Sequence, residues 1–181
     1  MTAPLQEKTL AAQLADGSLA GTWTLDPARS TVALKSKAMW GLAAVKGTFT
    51  DVTGAGAVSP TGEVTGQITV AAASLDTKNA RRDKHLRSKD FFLADEHPSI
   101  TFAVAKLTPA ADGVTVEGTL TVRGRTNPVT FTASPAPVAD GAVALDATVE
   151  VDRSHYGLTW SQLGMASMHN TITLHAVFTR D

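Results

Sequence analysis

Five histidines, His85, His97, His155, His169 and His175, are the first residues to ask about chemistry, and none stands where a metal site or a catalytic pair needs it. His155, His169 and His175 lack the helical spacing that puts two imidazoles on one face, and His175 alternates with Ile172 and Leu174 on the polar side of an extended segment. Asp83 and His85 lie two residues apart, which on a helix turns them to different faces. An acid–base site using Asp83, His85 or His155 on a small hydrophobic substrate is therefore only an alternative reading, and structural roles are preferred. The chain has no cysteine, no Gly-x-Ser-x-Gly elbow, no phosphate-cradling loop and no dinucleotide fingerprint. The expectation is a non-enzyme with no catalytic residue, no metal and no resident cofactor.

The densest charge lies between Ser74 and Phe92. Asp76 or Thr77 is placed to cap a helix there, and Asp83 precedes Arg87 by four residues, the spacing of a pair along one face. Between Lys78 and Ser88 only Ala80 and Leu86 are apolar, so burial alone does not explain this helix. It reads as a solvated cover for one end of a larger structure. In a second reading Arg81, Arg82, Lys84 and Arg87 ring a cavity mouth and hold an anionic head group.

The elements that must position these residues are strands. From Gly21 onward the dominant period is two: Val114, Val116, Leu120 and Val122 alternate with Thr115, Glu117, Thr119 and Thr121, and Val143, Leu145, Val149 and Val151 with Asp146, Thr148 and Glu150. Similar patterns run through Val64–Val70, Ile100–Val104 and Ile172–Phe178. Turn signals join them at Asp26-Pro27, Gly54-Ala55-Gly56, Ser59–Gly62, Asp112-Gly113, Gly124 and Asp140-Gly141, with Pro109–Asp112 and Pro135–Asp140 read as hairpin loops. About eight antiparallel strands with one charged interior helix predict an all-β fold, as an up-and-down barrel or a sandwich. Before them, Leu10, Ala11 and Leu14 share one side of a short amphipathic helix that Thr9 can begin and Asp16-Gly17 can end. Its expected place is against the outside of the main fold, with a partner-docking or lid helix as the alternative. The predicted organisation is thus a helical extension, 1–20, and a barrel domain, 21–181.

Composition agrees with one globular domain. The 181 residues carry 16 Lys and Arg against 17 Asp and Glu, a net charge of −1, which offers no basic field to nucleic acid. At 43% hydrophobic and 18% charged the chain is too apolar for disorder, while no apolar run is long enough to span a bilayer as a helix. Residues 1–20 interrupt their leucines with Gln6, Glu7, Lys8, Gln13 and Asp16, unlike an export signal, so a cytoplasmic location is expected. Aromatic residues are only 6%, whereas Val, Ala and Thr crowd the strands, which suggests walls of small side chains.

Several segments together resemble the YceI-like family of polyisoprenoid-binding, lipocalin-like proteins. They are Gly21–Val32, Val45–Phe49, Ser74–Thr77 with Arg82-Asp83, His85–Ser88 and Asp90–Phe92, then Pro98–Phe102, Glu117–Gly124 and Val151–Gly157. The likeness runs in order over about Gly21 to Arg180. There are two departures: many members carry a His on the second strand where this chain has Ala38-Met39-Trp40-Gly41, and the loop Leu163–Asn170 is shorter and richer in Met than usual. The resemblance implies an extended eight-stranded lipocalin-like barrel, closed at one end by the charged helix. Its elongated lumen would carry or sequester a small apolar ligand such as a polyisoprenoid, a quinone tail or a fatty lipid, and a homodimer is an arrangement the resemblance alone suggests. On this reading the ligand-facing candidates are Val32, Leu34, Trp40, Phe49, Ile68, Val70, Leu86, Phe91, Phe102, Val116, Leu120, Phe131, Leu145, Tyr156, Trp160, Met165 and Met168. The competing expectation is a filled, ligand-free barrel serving as an interaction module.

Overall fold

The computed structural model describes residues 8–181. In chain order the elements are α1 (Leu10–Ala15), β1 (Gly21–Leu25), β2 (Thr31–Ala38), β3 (Ala43–Phe49), β4 (Val52–Val58), β5 (Val64–Ala71), β6 (Leu75–Asp76), α2 (Ala80–Arg87), β7 (Ser99–Ala110), β8 (Gly113–Val122), β9 (Arg125–Pro137), β10 (Val143–Asp152) and β11 (His169–Arg180). Three pairs of short strands are single courses broken by a bend. β1 and β2 both lie along β11 and pair with β4 and β3 respectively, while β5 and β6 pair with those same two strands. The result is an eight-stranded antiparallel meander closed by β1 and β2 against β11. The barrel is extended: β7, with 12 residues, runs roughly 40 Å along its own direction and roughly 30 Å along the axis at ordinary barrel tilt.

The alternation of the strands becomes an inside and an outside. Val114, Val116, Leu120 and Val122 are buried inward, and His175 stands outside on Asp146, 2.6 Å away. One satellite cluster lies on the outer face, where Ala142, Ala144 and Val177 pack with Val138. The 26–30 bend is tied over it through Asp26 and Ser30, each bonded to the Val177 backbone.

Three local expectations are corrected. Gly54-Ala55-Gly56 is not a turn but the middle of β4, with Gly56 opposite Gly66. A Cβ on Gly56 would stand 2.8 Å from the Thr65 carbonyl oxygen, so the glycines serve close strand approach rather than reversal. Pro135 and Pro137 belong to β9 rather than a loop, because β8 stops pairing at Ala133 and the missing proline N–H groups have no ladder partner to deprive. The cap of α2 is Asn79, whose side chain accepts from the Arg82 amide, in place of Asp76 or Thr77.

The two helices occupy opposite ends. Thr9 accepts from the Ala12 amide to begin α1, and Gly17 leaves it at φ +74°. Leu14 is buried against the β4–β5 hairpin, where Gly62 approaches its carbonyl. α2 is inserted between β6 and β7, with Leu86 packed on the core under the other end.

Candidate functional site

Inward side chains leave two chambers along the barrel axis, of about 160 Å³ towards α1 and about 150 Å³ towards α2. Ile68, Phe102, Phe131 and Leu174 line both and form the waist between them. The Phe102 and Phe131 rings meet there with centroids 5.3 Å apart. Gly118 makes this geometry possible, since a Cβ on it would come within 2.6 Å of the Phe102 ring.

The α1 chamber is walled by Trp23, Val64, Val116, Val143, Leu145 and Phe178 and closed by Leu10, Leu14 and Leu19, with Thr65 and Gln67 its polar groups. α1 thus sits over a mouth of the lumen, the lid alternative rather than the preferred packing against the outer wall. The α2 chamber takes Val32, Leu34, Phe49, Val70, Leu120 and Val151 as walls, and at it stand Tyr156, Asn170 and Arg153.

Among the described residues, Arg153 is the one charged residue on either chamber wall. It is 6% exposed, and its guanidinium donates to the carbonyls of Leu158 (2.6 Å), Ser167 (2.8 Å) and Ala166 (3.4 Å), with the Phe91 ring 5.6 Å away. Among the described residues no carboxylate pairs with it. Burial pulls the guanidinium below its ordinary pKa and pushes the Tyr156 phenol up. The turn that aims both side chains begins at Asp152, which accepts from the Ser154 amide and hydroxyl; those bonds hold its carboxyl below the usual range.

Of the sequence-predicted contacts, Val32, Leu34, Phe49, Ile68, Val70, Phe102, Val116, Leu120, Phe131, Leu145 and Tyr156 are brought together on the chamber walls. Trp40, Leu86, Phe91, Trp160, Met165 and Met168 are not. Phe91 packs with Leu86's neighbour His85 and with Trp160, and Trp40 is 68% exposed on a hairpin tip. The four head-group candidates line neither chamber: Arg81, Lys84 and Arg87 are exposed, and Arg82 donates to the Thr77 hydroxyl and carbonyl. Asp83 does not pair with Arg87; buried, it accepts from the Thr77 amide and hydroxyl. His85 meets Asp90 at 2.8 Å and His155 faces Asp152 at 3.8 Å, so the three residues of the catalytic alternative are each engaged apart from one another.

The sequence reading missed Arg153, Trp23 and the leucines of the N-terminal segment. Trp23 and Leu25 carried a usable signal in their alternation. Arg153 carried none, because its burial depends on the folding back of the irregular 158–167 loop, which has no period. The scarce aromatics also cluster where small residues were expected, with Trp23, Phe49, Phe92, Phe102, Phe131 and Phe178 all on the lumen.

An antiparallel barrel around a predominantly apolar, two-chambered interior defines the class as a cavity-bearing β-barrel of lipocalin-like architecture. The chain belongs to the YceI-like family, whose YceI-like domain matches residues 23–179. It is 32% identical to UPF0312 protein SAS2572 of Staphylococcus aureus (strain MSSA476) over 148 residues, covering 77% of this chain and 84% of that protein. Among solved structures it is similar to Burkholderia cenocepacia BcnA, with a TM-score of 0.77 at 23% identity over 84% of this chain and 98% of that one. A polyisoprenoid binding domain from Saccharophagus degradans gives a TM-score of 0.70 at 15% identity over 88% and 98%.

Proposed function

We propose that this protein binds a slender long-chain lipid without transforming it, the chain lying along the axis through both chambers and its polar end at Arg153. The observation that carries this reading is the pairing of two apolar chambers with a single buried cation at one end. Burying hydrocarbon supplies about 0.8 kcal/mol per CH₂, or roughly 4 kcal/mol per isoprene unit before ordering costs, so the tail supplies affinity. Arg153 supplies direction. Three of its five N–H groups are used by backbone carbonyls, and the remaining two suit a carboxylate, phosphate or carbonyl oxygen. The Saccharophagus domain named for polyisoprenoid binding supports a prenyl or quinone tail as the class of ligand.

The test is organic extraction and mass spectrometry of gently purified protein. A long-chain lipid is expected from the wild type and is expected to be lost from Ile68→Arg, which puts a charge at the waist. A clean wild-type extract, with no later uptake of prenyl or fatty ligands, contradicts the proposal.

A further inference from the structure

We infer that the β2–β3 hairpin tip and the loop before β11 form a face that docks on an anionic lipid bilayer, so that the barrel exchanges its ligand while seated on a membrane. This rests on the lipid-binding reading above.

The large apolar residues left exposed among the described residues are Met39 (54%), Trp40 (68%), Leu42 (86%), Trp160 (37%) and Leu163 (80%). All five fall on two adjacent loops. The Trp40 amide donates to the Met165 carbonyl at 3.2 Å and the Ser167 amide to the Lys37 carbonyl at 2.9 Å, which locks the loops into one surface. Met39, Trp40 and Leu163 hold left-handed backbone at φ 50°, 54° and 52°, conformations that side chains with a Cβ adopt only at a cost. Gly41 and Gly164 have nothing within 4 Å of a Cβ position, so both tips stand in open space. Large apolar groups on strained, protruding tips are costly in water and are suited to insertion.

Charge selects the partner. Lys35 and Lys46 are directly opposed across the β2–β3 ladder, an arrangement that destabilises a hairpin, and Lys37 follows on the same outer face. None of the three belongs to an ion pair among the described residues. Arg81 lies one helical turn before His85, whose ring meets Trp160 at 4.5 Å, and extends the basic margin. A second copy seated on this face by two-fold symmetry would bring like charges together. An anionic bilayer neutralises them, while Trp40 and Trp160 match the interfacial depth at which indoles settle. The face is also continuous with the site, because Ala166 and Ser167 of the same loop accept from Arg153 on the α2 chamber.

Flotation with vesicles of phosphatidylcholine alone, and of phosphatidylcholine with an equal part of phosphatidylglycerol, tests this. Wild-type protein is expected to float with the anionic vesicles only, and to be released by high salt. Both Trp40→Ala with Leu163→Ala, and Lys35→Glu with Lys46→Glu, should partition about tenfold more weakly. Uptake of a free fatty probe in vesicle-free solution, and unchanged circular dichroism, show that these variants keep a loaded and folded barrel. The proposal is overturned if the wild type takes up the probe but does not float. It is equally overturned if both variants float as the wild type does, or if light scattering shows a dimer that Trp40→Ala with Leu163→Ala dissolves while flotation is absent. Failure of probe uptake by the wild type would instead sink the lipid-binding reading itself.

Discussion

Arg153 concentrates the consequences of single-residue chemistry in this barrel. Its guanidinium donates to three carbonyls; Ala166 also accepts from the Ser161 hydroxyl, so removing the guanidinium strips those of Leu158 and Ser167, and each such loss costs about 1–3 kcal/mol. Arg153→Leu should therefore lower stability by about 3 kcal/mol in urea unfolding. In the wild type, a fatty acid should bind about tenfold more tightly than its methyl ester, since a charge-assisted hydrogen bond is worth roughly 1.5–3 kcal/mol. Equal affinity for acid and ester would remove the polar end from Arg153. Sequence alone identified many wall residues, because Val32, Ile68, Val116 and Leu120 sit on period-two stripes that a one-sided strand imposes. It could not identify Arg153, whose partners come from the irregular loop that follows it and shows no period to read. Trp40 stands outside the lumen because the bend that carries it outward has no local period.

At the scale of elements, the strands were legible wherever polar and apolar residues alternate, and illegible where glycine serves packing instead of reversal. Gly54 and Gly56 show the difference, since their turn-like composition reflects close approach to β5. Helix α2 was readable as a charged segment, yet its cap moved to Asn79 because Thr77 is occupied by Asp83. One seam of the barrel is incompletely sewn. The β9–β10 pairing covers Ala133–Pro137 against Val143–Ala147 and goes no further, leaving Val129–Thr132 and Thr148–Val151 bonded only to their other neighbours. Hydrogen exchange should be much faster for the Thr148–Val151 amides that face β9 than for those that face β11. Uniform protection of both sets would show the seam to be closed in solution.

The whole molecule is a tube with a helix over each end and a constriction in the middle. Its two chambers share Ile68, Phe102, Phe131 and Leu174, so one long chain can occupy both only by threading the waist. The overall barrel followed from the strand pattern and the family resemblance. The division of its lumen did not, because it arises from Phe102 of β7 and Phe131 of β9 meeting over Gly118 of the intervening β8, a contact that no single strand's period displays. The most direct measurement of the central claim is binding affinity across a series of fatty or prenyl chains of increasing length, in the wild type and in Ile68→Trp. The wild type should tighten steadily until the chain spans both chambers and then level off, whereas Ile68→Trp should level off at about half that length. Affinity that ignores chain length, or an unchanged profile in Ile68→Trp, would contradict a ligand lying along the axis.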